Sequence, residues 1–144
     1  MSRKKFFSEE ESARLIHAIR EAEKSSSGEI RIHVEETCDY DPVERAWQVF
    51  RKLAMHKTAL RNGVLFYLAT HDQTFAILGD EGIHQQVPEG FWDEVRDVMQ
   101  PSFRKGKFVE GLEDGIRLAG EKLKAFFPYQ DDDVNELPDD ISIG

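Results

Sequence analysis

The acidic side chains of this 144-residue chain crowd into two short stretches. "EETCDYD", residues 35–41, offers Glu35, Glu36, Asp39 and Asp41, and "GDEGIHQQVPEGFWDE", residues 79–94, offers Asp80, Glu81, His84, Glu89, Asp93 and Glu94. Oxygen donors at that density suit a hard divalent cation. Calcium accepts six to eight oxygens in forgiving geometry, and glycines beside the acids let backbone carbonyls turn inward without a Cβ in the way. Two carboxylates about 4 Å apart repel by about 1 kcal/mol even in water, so the two stretches brought together would require a counter-ion. The candidate metal ligands are therefore Glu36, Asp39, Asp80, Glu81 and Asp93. The expected cofactor is Ca2+, or another divalent cation such as Mg2+. A plainer reading stands beside this one. Asp41 caps a helix, Asp93 and Glu94 occupy a first turn where acids favour the helix dipole, and the other acids are solvated. The ligand spacing of the contiguous helix–loop–helix calcium loop is absent.

Other chemistries find less support. Cys38 is the only cysteine, which rules out an intramolecular disulfide and a cysteine-based zinc cluster, and it lacks an obvious local base. No two histidines stand at a helical zinc-ligand spacing; His84 alone lies in a candidate loop. A Cys-x5-Arg phosphate loop and a P-loop are missing. Asp39 and Asp41 match an Asp-x-Asp nucleophile pair literally, but "DYDP" reads better as a cap and the start of a helix. Arg104, Lys105 and Lys107 could meet a phosphate, although solvated surface charge is the commoner outcome for such a run.

The elements that must position these loops follow from periodicity. Ser8 with Glu11 forms a capping box, and Leu15, Ile16, Ile19 and Ala22 continue at helical spacing until "SSSG", where Gly28 is free to take a left-handed stop. "EIRIHV" alternates, which predicts a strand with Ile30, Ile32 and Val34 inward and the face of Glu29, Arg31 and His33 less buried. Asp41 and Pro42 open a second helix with the stripe Val43, Trp47, Phe50, Leu53 and Ala54. "VLFYLA" and "TFAIL" read as a hairpin whose first strand is central. Phe91, Trp92, Val95, Val98 and Met99 outline a third helix stopped near Pro101, and Phe108 to Phe126 a fourth. The aromatic residues fall on these stripes and read as core. Helices flanking a small block of strands argue for an α/β protein, a three-layer α/β/α sandwich with a small mixed central sheet of about four strands.

Composition bounds the rest. Of the net charge of −9, the segment 129–144 carries −6 without a single Lys or Arg, which leaves −3 on the other 128 residues. The expected organisation is a folded domain over 1–128 and an acidic, disordered tail over 129–144, open to a protein partner as a linear motif. A nearly balanced folded part has no basic footprint for a phosphate backbone, so nucleic acid is not an expected partner. No stretch approaches the roughly 20 apolar residues of a membrane span, and the N-terminus lacks the apolar core of a secretory signal, so a cytoplasmic location is expected.

The ordered set "SGEIRIHV", "RNGVLFYLA", "TFAILGDEGI" and "PSFRKGKFVEGLEDGI" resembles the TPM domain family across roughly residues 7–127. The resemblance implies the same sandwich, a carboxylate-rich cleft at one edge of the sheet, binding of divalent cations, calcium above all, and in some members phosphatase activity. The chain looks like a stand-alone soluble member, without the signal peptide and membrane anchor or glycine-rich tail of most relatives. Those relatives read Gly-x-Gly-Leu-Glu after the third strand. Here the loop is one residue longer, with His84 near the usual Glu and Glu89 near a later acid. The expected function is a divalent-cation-binding module, a metal-responsive regulator or adaptor whose acidic loops are ordered by the ion. The alternative is a metal-dependent phosphatase acting on phosphate monoesters, in which bound metal polarises a phosphoryl oxygen and activates water.

Overall fold

The computed structural model describes residues 6–128 and 141–144. Helix α1 (Glu9–Ser25) opens on the expected capping box, with the Ser8 hydroxyl accepting from Glu11 N and the Glu11 carboxylate accepting from Ser8 N. Strand β1 (Glu29–Glu35) leads to α2 (Pro42–Lys52), which Asp41 caps by accepting from Val43 N. A short 3-10 turn (Met55–Lys57) precedes β2 (Gly63–Ala69) and β3 (Thr74–Gly79). Three helices follow, α3 (Glu81–His84), α4 (Asp93–Arg104) and α5 (Phe108–Lys124), and then β4 (Ile141–Ile143).

The sheet runs β3-β2-β1-β4, with β1 parallel to both β2 and β4 and β3 antiparallel at one edge. Side-chain alternation splits the interior into two cores. Ile30, Ile32, Val34, Val64, Phe66 and Leu68 face α1, α4 and α5, whereas Leu65, Tyr67, Ala69 and Leu78 face α2. The result is the expected three-layer α/β/α sandwich on a mixed four-stranded sheet. Among the described residues, no helix is long and apolar enough to cross a membrane.

Four expectations are corrected. The tail is not wholly separate from the domain: Ile141–Ile143 add to β1 as a parallel strand, while the rest of it, 129–140, lies outside the described residues. Helix α4 does not stop near Pro101 but runs through it to Arg104. Its last turn is held by packing, because Met99 and Phe103 sit directly on the Cα atoms of Gly115 and Gly111 of α5, where any Cβ would collide with them. Gly28 is not in the left-handed region, and α1 ends at Ser26 in extended conformation. The polar face of β1 is more buried than expected: Glu29, His33 and Glu35 are each under a tenth exposed and Arg31 is half-buried, because β2 flanks the whole strand and β4 its second half.

Candidate functional site

The candidate acids are divided between the two ends of the sheet. Gly79 pairs with Val64, and Val64 with Ile30, so Asp80 emerges at the end of the sheet where β1 begins. Glu36 and Asp39 emerge where β1 finishes. Seven residues of strand, at about 3.3 Å each, put about 20 Å between the two groups. The convergence of the two acidic stretches expected from sequence does not occur. Antiparallel pairing of β3 with β2 carries its C-terminus away from that of β1. Among the described residues, no three of His, Cys, Asp and Glu stand close enough to hold a metal ion.

At the Asp80 end, the acids and glycines after the third strand have a structural explanation. Asp80 is buried, caps α3 by accepting from Glu81 N at 2.7 Å, and accepts from Arg61 Nε and Nη2 at 2.8 and 2.9 Å. Glu81 stands 3.6 Å from Arg61 Nη1. Asp93, at the head of α4, pairs with Arg96 at 2.9 Å. Gly82 is required because its Cα backs onto the carbonyls of Leu60 and Arg61, where a Cβ would collide. Arg61 itself has φ 51, a left-handed conformation rare outside glycine, and its carbonyl accepts from Gly82 N at 2.9 Å. Beside this pair opens a cleft of about 500 Å³ between α2, the 3-10 turn and α3, lined among others by Trp47, Phe50, Arg51, His56 and Asp80.

The other end centres on Glu35, the last residue of β1. Its carboxylate accepts from Arg45 Nε and Nη2, both at 2.9 Å, from the Tyr67 hydroxyl and from His33 Nε2 at 3.0 Å. Burial alone would raise the carboxyl, but the hydrogen bonds from Arg45, Tyr67 and His33 hold it down at about 2. Burial lowers the pKa of His33, against the pull of Glu35. Burial and then the bond to Glu35 push the Tyr67 hydroxyl up. With a carboxylate on Nε2, the neutral ring carries its proton there, and Nδ1 accepts from the Ser142 hydroxyl of β4 at 2.8 Å. This network escaped the sequence reading, in which His33 was merely polar-faced and Glu35 one acid among several. The available signal was the run Glu29, Arg31, His33, Glu35 on one face of a strand that has to be covered.

Outside this buried knot lie Glu36, Asp39 and Asp41 on the β1–α2 loop, and Asp72 on the β2–β3 turn. Asp72 accepts from Cys38 N at 2.7 Å, while Glu35 O and Glu36 O accept from Thr70 N and His71 N at 3.0 and 2.8 Å. Two loops are thereby stitched into one acidic corner at the carboxyl ends of β1 and β2. That is where open α/β sheets bind ligands, next to a strand whose neighbours on its two sides are reached by separate connections. Here that strand is β1, flanked by β2 and β4.

Comparison with known proteins agrees with this architecture. The TPM domain matches residues 1–122. The solution structure of the BA42 protein from the psychrophilic bacterium Bizionia argentinensis superimposes with a TM-score of 0.92 at 47% identity, covering 99% of each chain. The N-terminal domain of a P. gingivalis protein gives 0.70 at 20% identity, covering 86% of this chain and 82% of its own. The N-terminal domain of the cg2496 protein of Corynebacterium glutamicum gives 0.64 at 11%, covering 94% and 80%. The last two are likenesses of fold alone. No curated protein matches the chain.

Proposed function

We propose, from the premise that this chain belongs to the TPM domain family, as the match over residues 1–122 shows, that it is a divalent-cation-binding module. The ion is taken at the acidic corner beyond β1 and β2, with Glu36 and Asp39 as ligands from one loop and Asp72 from the other. The observation that carries this reading is the seam between the loops, the bonds Asp72 to Cys38 N, Thr70 N to Glu35 O and His71 N to Glu36 O. A seam of two backbone bonds and one side-chain bond holds the acidic loops as neighbours before any ion arrives. No ready-made cluster stands there among the described residues, so the cation has to draw the three carboxylates together, and the seam shortens that movement by keeping their loops adjacent. Calcium suits the donor set best, since it tolerates irregular oxygen geometry and retained water, whereas magnesium demands a near-ideal octahedron.

Asp80, Glu81 and Asp93 leave the ligand set. Asp80 and Asp93 are engaged by Arg61 and Arg96, Glu81 stands beside Arg61, and all three lie at the far end of the fold. The phosphatase reading is the weaker one. Arg45, which borders the corner, commits three of its five N–H donors, Nε and Nη2 to Glu35 and Nη1 to Gln48, and its charge is already matched by the Glu35 carboxylate. Asp41, the second acid of "DYD", spends an oxygen on Val43 N.

Calcium titration of the full chain, followed by amide spectra, tests the proposal. Saturable shifts are expected at residues 36–41 and 70–73 and none at 80–84. Asp72→Asn should preserve the bond to Cys38 N while weakening calcium by about tenfold, the loss of one charged ligand oxygen. Spectra unmoved by millimolar calcium would end the proposal. Turnover of a phosphate monoester that Asp39→Asn abolishes would replace it with the enzymatic reading.

A further inference from the structure

We propose that Ser142, His33 and Glu35 form a serine–histidine–carboxylate triad at the end of β1, an esterase centre for small uncharged carboxylic esters. The Ser142 hydroxyl of β4 lies 2.8 Å from His33 Nδ1, and His33 Nε2 lies 3.0 Å from Glu35 Oε1. A hydroxyl on an imidazole that is itself oriented by a third group is the arrangement that activates a serine nucleophile, and it is recognised by geometry, not by order in the chain. The ring is placed independently of Ser142. Its Nε2–H is fixed on Glu35, and its face is stacked on Tyr67 with centroids 5.9 Å and planes 11° apart. Glu35 in turn is pinned by Arg45 and the Tyr67 hydroxyl. The remaining nitrogen, Nδ1, is thereby aimed at the hydroxyl. His33 and Glu35 are under a tenth exposed, whereas Ser142 is half-buried on the last strand of the sheet, so the nucleophile is the member of the three that a substrate reaches.

A donor for the oxyanion stands beside the nucleophile. Gly144 N donates to Val34 O, and in a parallel ladder successive residues of a strand turn their N–H groups to opposite sides. The Ile143 N–H therefore points away from β1, off the edge of the four-stranded sheet. The amide of the residue after the nucleophile is one of those that stabilise the oxyanion in α/β hydrolases. The reaction balances on these groups. The Ser142 oxygen bonds the ester carbonyl carbon and gives its proton to His33 Nδ1, and that proton leaves on the alcohol as the C–O bond breaks. Water then attacks the acyl-serine, a proton returns through Nδ1 to the Ser142 oxygen, and the carboxylic acid is released. Glu35 positions the ring and balances its transient charge without taking the proton. The substrate class follows from the surroundings. Glu36, Asp39 and Asp72 at the adjoining corner repel an anionic acyl group. A single oxyanion donor suits an ester, whose alcohol leaves more readily than the amine of an amide.

The test exposes the full chain, in EDTA, to a fluorophosphonate probe and to p-nitrophenyl acetate. The probe is expected to form an adduct on Ser142, located by peptide mass spectrometry, and the acetate to give a burst of p-nitrophenolate followed by slower turnover. Ser142→Ala, with the amide spectrum of the folded chain retained, should abolish both. Glu35→Gln keeps the shape of the side chain but removes the charge that balances the imidazolium. Labelling of the folded chain should then slow by about a hundredfold, whereas a Glu35 that merely holds the fold would leave that rate unchanged. No adduct at residue 142, a burst that survives Ser142→Ala, or a labelling rate indifferent to Glu35→Gln would each overturn the inference. EDTA keeps the outcome separate from calcium at the acidic corner and from a metal-dependent phosphatase.

Discussion

Replacing Glu35 with glutamine tests whether the buried network at the end of β1 is a structural anchor. The amide keeps the shape of the carboxylate but carries two donors, and it faces donors on every side: Arg45, the Tyr67 hydroxyl and His33 Nε2–H. Breaking a buried ion pair costs about 3–5 kcal/mol. The Arg45 side chain is 27% exposed and can turn to water, which puts the expectation at the lower end, about 3 kcal/mol. The depressed carboxyl leads to a second figure. A carboxyl held at about 2, against an ordinary value of 4.5, corresponds to about 3 kcal/mol at neutral pH. The sign follows from the direction of the shift. A depressed carboxyl contributes fully above its unfolded pKa and loses that contribution as pH falls through the folded one. The lowered His33 acts in the same sense, because in acid the unfolded imidazole takes up a proton more readily than the folded one. Urea unfolding followed by circular dichroism should therefore show Glu35→Gln less stable by about 3 kcal/mol at neutral pH, narrowing to about 2 kcal/mol near pH 3.5. The melting temperature should drop by about 10 °C. A difference under about 1 kcal/mol that does not change with pH would refute the assignment of the network as an anchor.

Two further outcomes follow from close backbone approaches. Gly82→Ala should cost about 3 kcal/mol in urea unfolding, because its Cβ would strike the Leu60 carbonyl and come within 2.7 Å of the Arg61 carbonyl oxygen, and backbone there cannot yield cheaply. Gly106→Ala, with φ +75 but open space around it, is the control and should cost only about 1 kcal/mol. Gly144→Ala should loosen β4, since the added Cβ would lie 2.5 Å from Glu35 Oε1 and 2.8 Å from His33 Nε2, both pinned by their partners. Faster amide exchange at positions 142 and 144, with the rest of the sheet unchanged, is the expected readout.

The layers were legible because periodicity reports burial directly. The capping box at Ser8, the Asp41–Pro42 start, the alternation of "EIRIHV" and the doubly apolar "VLFYLA" each named an element that the structure contains. What composition could not convey was which end of the sheet each loop leaves from. That depends on whether β3 runs with or against β2, and the hairpin pattern of "VLFYLA" and "TFAIL" answers it. A hairpin reverses direction, so the loop after β3 must lie opposite the loop after β1. The clustered acids misled for a related reason. Asp80 and Glu35 look alike in sequence, yet each is matched to an arginine distant in the chain, Arg61 and Arg45, and such pairing leaves no periodic trace. Strand β4 was missed because three residues at the end of an acidic tail carry too little pattern to register as a strand.

The pairing of inner acids with arginines also decides how the protein should respond to a cation. Asp80 and Glu35 are buried and already compensated, so an ion gains nothing by competing for them. The acids with solvent access at the corner, Glu36, Asp39 and Asp72, are the ones an ion can reach. Their loops hang from Glu35 and Glu36 through backbone hydrogen bonds to Thr70 and His71, so ordering them stiffens the end of β1 at the point where Tyr67 and His33 meet Glu35. Cation binding to the folded chain alone raises stability by about 2.7 kcal/mol at a hundredfold excess over the dissociation constant. The gain should persist in Asp80→Asn, whose own defect lies about 20 Å away, and should disappear in a Glu36→Gln, Asp72→Asn double variant. Calcium-dependent stabilisation lost in Asp80→Asn but kept in the double variant would move the ion to the other end of the sheet and reverse the assignment.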